Sequence, residues 1–189
     1  MIKLKEDNLT VLKEQGDENM ITRSFDNDEK VMQMIITSDP DYIKELIDLG
    51  GDPNGIYQLD EGTCIFPLSK ARSKEKVDAL INNGAYINKC NDKGQTALML
   101  VKDPDVIMHL IELGADCKIK DCLGRNAIFY HVKNIQIMKM LILKGADPFL
   151  KDIHNITAYS LMSDAMKEAF KQMITELKET FMKMKKKVA

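Results

Sequence analysis

Three histidines are the residues of this sequence whose type most readily supports acid–base catalysis near neutral pH. His109 lies inside an apolar helical stretch, His131 ends a predicted helix, and His154 lies in a predicted turn. A nucleophile–base pair would place a Ser, Cys or Asp nearby at a matching spacing, and neither His131 nor His154 has one. The histidines therefore predict packing or surface roles, and we expect no catalytic residue and no enzyme activity.

Four cysteines are the other candidates for chemistry: Cys64, Cys90, Cys117 and Cys122. They form no CxxC pair and no cluster with the histidines at zinc-ligand spacing. No glycine-rich loop opens a helix in the way that phosphate binding requires. We therefore expect no metal and no cofactor. Free thiols are typical of a reducing compartment, which favours a cytoplasmic protein, or the host cytosol for a secreted or viral protein.

The charge balance excludes other classes of partner. The 189 residues carry a formal net charge of −2, which gives no general attraction to nucleic acid. The composition, with 44% hydrophobic and 30% charged residues, is typical of a folded globular chain. We therefore expect no nucleic-acid partner.

A repeat supplies the elements that must position any functional residue. Gly50, Gly84, Gly114 and Gly145 each end an apolar run, at intervals of 34, 30 and 31 residues. Periods of this length are typical of stacked supersecondary units. Val106, Ile107, Leu110, Ile111 and Leu113 follow helical spacing before one of these glycines. The pattern predicts apolar helices that stop at a left-handed glycine.

Each unit also has a recognisable beginning. Unit three reads NDKGQTALMLVKDPDVIMHLIELGAD: a turn at 92–94, Thr96–Ala97–Leu98, a short helix, Asp103–Pro104, a second helix, and Gly114. Asp39–Pro40 and Asp103–Pro104 predict helix N-caps, and Ser73 and Asn134 predict the same in units two and four. This compound motif resembles the ankyrin repeat, over about residues 25 to 165.

The resemblance implies an all-α fold, a solenoid of about five stacked helix-turn-helix units with short turns or hairpin fingers. It divides the chain into an N-terminal segment or cap at 1–24, the array at 25–165, with atypical end units, and a basic amphipathic helix at 166–189. It implies a non-catalytic module that binds, blocks, tethers or recruits another protein. The alternative is the substrate-recruiting part of a larger or secreted bacterial or viral effector.

Two departures from the family pattern concern length. The units are about three residues short between their paired helices. Conversely, 17 residues separate Gly50 from Pro67, where the three following units need 13. The extra residues predict one longer finger, which is either a tolerated insertion or a partner contact. Its expected exposed residues are Tyr57, Gln58, Asp60 and Glu61.

The resemblance also implies the positions of further partner-binding residues. In the ankyrin family, turn tips and the exposed ends of first helices contact the partner. Carried onto this sequence, those positions are Lys93, Gln95, Lys102, Cys122, Leu123, Arg125, Lys133, Ile153, His154 and Ile156. Leu123, Ile153 and Ile156 are apolar, so neighbouring fingers either share an exposed apolar patch or pack these side chains between them.

The segment 166–189 has its own pattern. One helical stripe carries Met166, Phe170, Met173, Ile174, Leu177, Phe181 and Met184, and the end is rich in lysine. A long helix that caps the apolar end of the array fits this pattern. The alternatives are docking into a calmodulin-like partner or lying on an anionic membrane.

Overall fold

The computed structural model describes residues 27–37, 39–60 and 63–188. These residues form eight α-helices, two strands and two 3₁₀ helices. The helices are α1 (Asn27–Ile36), α2 (Pro40–Asp48), α3 (Lys74–Asn82), α4 (Ala97–Leu100), α5 (Pro104–Glu112), α6 (Ala127–Tyr130), α7 (Ile135–Leu143) and α8 (Asp164–Val188). The strands are β1 (Tyr57–Asp60) and β2 (Thr63–Ile65), and the 3₁₀ helices are Pro67–Lys70 and Ala158–Leu161.

The helices form two layers, which confirms the predicted helical solenoid. One layer contains the first helix of each unit: α1, Pro67–Lys70, α4, α6 and Ala158–Leu161, each in contact with the next. The other layer contains the second helices α2, α3, α5, α7 and α8, again in contact with their neighbours. Because each unit covers the apolar face of the one before it, a single core runs through the stack.

Capping side chains begin the second helices where the sequence predicts them. Asp39 and Asp103 accept backbone N–H bonds at the starts of α2 and α5, each followed by a proline at the first helical position. Ser73 accepts from the Lys76 N–H. Asn134 does the same for α7. Each such cap contributes about 1 kcal/mol to stability.

Glycine ends the second helices, as predicted. Gly114 has a φ of 92° and Gly145 a φ of 98°, in the left-handed region that other residues rarely adopt. The N–H of Ala115 then bonds to the Leu110 carbonyl at 2.9 Å, which satisfies the end of α5. The first helices are only one turn long in units three and four, and a short link leads to the second helix.

The longer finger predicted after Gly50 is a two-stranded antiparallel hairpin. Tyr57 pairs with Ile65 and Gln58 with Cys64, and the register shifts before Asp60. Gly55 lies at its base against Val31 of α1, where a β-carbon would come within 2.3 Å of a Val31 methyl carbon. The hairpin is thus held against the first unit by a contact that only glycine allows.

Helix α8 begins at Asp164 and takes the place of the second helix of unit five. It buries Phe170, Met173 and Leu177, and its neighbour is α7. The side chains of Phe181 and Met184, which continue the predicted stripe, lie outside the described residues, as does the segment 1–24. Across the described chain, no helix combines the length and the apolar character needed to cross a bilayer.

Candidate functional site

Each of three fingers is shaped by one polar side chain at its base. The third, fourth and fifth fingers (residues 91–96, 121–126 and 152–157) begin with Asn91, Asp121 and Asp152. The Oδ1 of each accepts the N–H of the residues two and four positions later, at 2.8 to 3.1 Å. These hydrogen bonds satisfy backbone N–H groups within the turn and give all three fingers the same backbone conformation.

The fourth residue of each finger requires a positive φ. Gly94 has 73°, Gly124 has 76°, and Asn155 in the fifth finger has 61°. A β-carbon on Gly94 would lie 3.1 Å from both the Asp121 Cα and the Cys122 nitrogen of the next finger. Glycine is needed at this position in the third finger both for its φ and for close packing.

Backbone hydrogen bonds join the fingers to one another. The Cys122 N–H donates to the Lys93 carbonyl, and the Ile153 N–H donates to the Leu123 carbonyl, both at 2.9 Å. Asn91 Nδ2 also donates to the Cys64 carbonyl at 3.1 Å, which joins the third finger to the hairpin. The fingers are therefore held in fixed register as one row.

A side-chain network lies under the third and fourth fingers. Gln95 Nε2 donates to the Tyr130 hydroxyl at 2.8 Å, and that hydroxyl donates to Asp121 Oδ2. Burial, and then the bond to the Asp121 carboxylate, raise the pKa of Tyr130 to about 12. Gln95 was expected to face a partner. Its side chain is half-buried, and its amide forms this bond to Tyr130.

Arg125 ties the fourth finger to the fifth. Its Nε and Nη2 lie 2.9 and 2.8 Å from Asp152 Oδ2, and its guanidinium lies over the Phe129 ring. Burial opposes ionisation of Asp152. The Arg125 bond and the N–H groups of Ile156 and His154 nevertheless hold its pKa below the ordinary value. Arg125 thus serves the scaffold, although its half-buried position leaves part of it at the surface.

The finger tips remain exposed and differ from unit to unit. Lys93, Cys122 and His154 are exposed, Leu123 is 37% exposed, and Ile153 is 63% exposed. The Ile153 Cγ2 packs over Gly124, 3.6 Å from the place of a β-carbon there. We call the exposed tips of the third, fourth and fifth fingers the finger surface. Leu123 and Ile153, on adjacent fingers that are hydrogen-bonded to each other, form its apolar part.

Comparison with protein families identifies these units. Residues 68–152 match the family model for ankyrin repeats in three copies. Residues 68–152 are therefore ankyrin repeats. Such repeats are generally protein–protein interaction modules and are typically non-catalytic. None of the curated proteins compared with the chain matches it.

The other predicted contact residues lie elsewhere on the ankyrin array. Lys102 and Lys133 are exposed on the links after α4 and α6. Tyr57 is half-buried and Gln58 exposed on strand β1 of the hairpin. Ile156 is half-buried beneath the fifth finger, at the position that Gln95 and Arg125 occupy in theirs. Asp60 ends β1 with its side chain undescribed, and Glu61 lies outside the described residues.

The histidines of the ankyrin array have packing roles where they are buried. His131 donates from Nε2 to the Leu98 carbonyl at 2.7 Å, and burial lowers its pKa. His109 Nε2 lies 2.7 Å from Asp78 Oδ1 on α3. These contacts link each histidine to the preceding unit. In the part of the chain that the structure describes, no three His, Cys, Asp or Glu side chains are placed to hold a metal ion.

Sequence reasoning did not predict the burial of Lys76 or the surroundings of the Cys90 and Cys117 thiols. Lys76 is 2% exposed and donates to the Ile35 carbonyl at 2.7 Å, while burial and then the Arg72 charge lower its pKa to about 8. Burial raises the pKa of the Cys90 and Cys117 thiols, which disfavours the reactive thiolate. The repeat pattern carries no signal for Lys76, because the equivalent positions in α5 and α7 are Val106 and Ile137.

Proposed function

We propose that this chain is a non-catalytic module whose finger surface binds another protein, which it blocks, tethers or recruits. The observation that carries the proposal is the pair Leu123 and Ile153, exposed on adjacent fingers that are hydrogen-bonded to each other. Exposed apolar side chains grouped in this way are typical of interaction sites. Lys93 and His154 flank them and provide a polar rim.

The rigidity of the fingers supports the same proposal. Binding through a flexible loop loses affinity because the loop must be ordered in the complex. Here the backbone N–H bonds to Asn91, Asp121 and Asp152 hold the turns in place before any partner binds. A partner would therefore contact a preformed surface. Only the tip side chains would need to adjust.

In the recruiting form of this proposal, the array selects substrates for a catalytic part located elsewhere, as in a secreted effector. We place the protein in a cytosol, its own or that of a host. In the described chain no disulfide joins Cys64, Cys90, Cys117 or Cys122, as expected for a reducing compartment.

Affinity capture with a matched control tests the finger surface. The bait is the purified chain, compared with a Leu123→Glu/Ile153→Glu variant. The control is Tyr86→Glu/Leu143→Glu, which adds the same charge at two exposed apolar residues on the second and fourth units but away from the finger tips. Circular dichroism first establishes that all three are folded.

The proposal expects a partner captured by the wild-type chain and the control variant and lost by the finger variant. A partner retained by the finger variant would move the interface to another surface. A partner lost by both variants would show that added negative charge, rather than the finger surface, decides capture.

A further inference from the structure

Four residues after each helix-ending glycine lies a position that connects one unit to the next. In unit one, Asn54 Nδ2 donates to the Gly84 carbonyl at 2.9 Å. In unit two, Asn88 Oδ1 accepts the Asp116 N–H at 2.9 Å. Both asparagines thus bond to the backbone that follows the second helix of the next unit.

Units three and four have other residues at this position, Lys118 and Phe149. Lys118 reaches across to unit four, where its Cε lies 3.0 Å from the place of a β-carbon on Gly145. Phe149 takes the position in unit four, held by an N–H bond to Asp147 Oδ1 like that of Lys118 to Asp116. In the described chain α8 continues to residue 188 with no glycine turn, so Phe149 has no such neighbour.

Phe149 instead borders a groove of about 390 Å³ along α8. Phe149 is 60% exposed, and its ring meets the Phe170 ring edge-on, with centroids 6.4 Å apart. Tyr159 packs against the same Phe170 ring at 5.8 Å. The residues that line it include Phe149, Tyr159, Phe170, Lys171, Ile174 and Lys178. We call this the terminal groove.

Two lysines of α8 lie on the rim of the terminal groove. Lys171 and Lys178 are exposed and lie two helical turns apart, about 10 Å along α8. The Lys171 Nζ forms an ion pair with Glu168 Oε1 at 2.7 Å. Among the side chains that the structure describes, Lys178 has no ion pair. A further stacked unit or a second copy packed here would bury these lysines, which costs free energy unless acidic groups pair with them.

We propose that the terminal groove binds a short peptide segment of a partner protein, with one apolar side chain flanked by acidic residues. The apolar side chain would lie against Phe149, Phe170 and Ile174. Carboxylates on either side would pair with Lys171 and Lys178, whose positive charges are complementary to them. This site is separate from the finger surface and does not depend on the function proposed for it.

Selection from a displayed library of random nonapeptides tests this proposal. Selected peptides are measured by fluorescence anisotropy on the wild-type chain, Phe149→Lys, Lys178→Glu and Leu123→Glu/Ile153→Glu. Phe149→Lys introduces the residue of unit three, and both groove substitutions are at exposed positions. We expect selected peptides with an apolar residue between acidic ones. Their affinity should fall at least about tenfold in both groove variants, fall with added salt, and stay unchanged in the finger variant.

Four results would overturn the proposal. These are selection of no peptide, selection of peptides without acidic residues, binding that survives both groove substitutions, and binding lost only in the finger variant.

Two further measurements identify a different occupant. Sedimentation would detect self-association abolished by Phe149→Lys, and flotation with phosphatidylserine vesicles would detect membrane binding abolished by Lys178→Glu. Either result, without groove-dependent peptide binding, contradicts the proposal.

Discussion

The third and fifth fingers have the same backbone bonding and different surfaces. Asn91 in one and Asp152 in the other accept the same pair of N–H groups. Gly94 and Asn155 both adopt a positive φ. The exposed tips, however, read Asp92–Lys93 and Ile153–His154. The chain thus separates positions that build the finger from positions that are free to determine what it contacts.

The difference at the fourth position has a physical reason. The fourth finger packs over Gly94, and a β-carbon there would lie 3.1 Å from Asp121 Cα. Asn155 belongs to the last finger of the described chain, and no further finger packs on it. Position in the stack, and not only backbone conformation, therefore decides which residue is tolerated.

The largest effect on stability is expected when a buried polar residue at the start of a finger is replaced. Asp121→Ala removes the acceptor of the Leu123 and Arg125 N–H groups and of the Tyr130 hydroxyl. We expect a loss of about 3 kcal/mol in the free energy of unfolding, measured by urea denaturation. Asp92→Ala at an exposed tip is the control and should change stability by less than about 0.5 kcal/mol. Equal losses in the two variants would contradict the separation of scaffold and tip.

A smaller effect is expected when the fourth positions are exchanged. Gly94→Asn forces a side chain against the fourth finger and should cost about 1 to 2 kcal/mol. Asn155→Gly should change stability by less than about 0.5 kcal/mol, since the fifth finger accepts either residue. Thermal unfolding of the two variants measures both values. If Asn is tolerated equally at both positions, the packing explanation is wrong.

The buried His131 and the exposed finger tips also differ in their expected response to acid. Burial lowers the pKa of His131, so the unfolded chain binds a proton more readily as pH falls below about 6.5. Stability should therefore be full above pH 6.5 and decline toward pH 5. His131→Gln, which keeps a donor for the Leu98 carbonyl, should flatten this dependence, measured by urea unfolding at several pH values. Leu123→Gln at an exposed tip, which changes no ionisable group, should leave the pH profile unchanged; a profile altered by this control would be inconsistent with the assignment.

The smallest effect on stability is expected at the tips themselves. Ile153→Asp with His154→Lys gives the fifth finger the tip of the third. Because both residues are exposed, the free energy of unfolding should change by less than about 0.5 kcal/mol. Capture of the partner should nevertheless be lost. A large change in stability would show that the tip residues belong to the scaffold.

Much of the fold followed from the sequence because its signals are local. The caps Asp39, Ser73, Asp103 and Asn134 and the stop at Gly114 act within a few residues of their own position. Repetition then extended these local rules to the whole array. The length difference after Gly50 likewise predicted a longer finger, which the structure shows as a hairpin.

The candidate site was only partly predictable, because its contacts join residues far apart in sequence. Gln95 reaches Tyr130 across 35 positions, and Arg125 reaches Asp152 across 27. Their polar character alone suggested surface residues. The recurrence of Asn91, Asp121 and Asp152 at one repeat position was a usable signal for the finger bases. Nothing in the repeat indicated the groove beside Phe149, because that position differs in unit four.

Amide hydrogen–deuterium exchange, with and without the captured partner, tests the central claim most directly. If the finger tips carry recognition, exchange should slow on binding in the fourth and fifth fingers, at residues 121–126 and 152–157, and not in α3 or α5. Slowing confined to the second helices, with the fingers unchanged, would contradict the claim that these fingers form the binding surface.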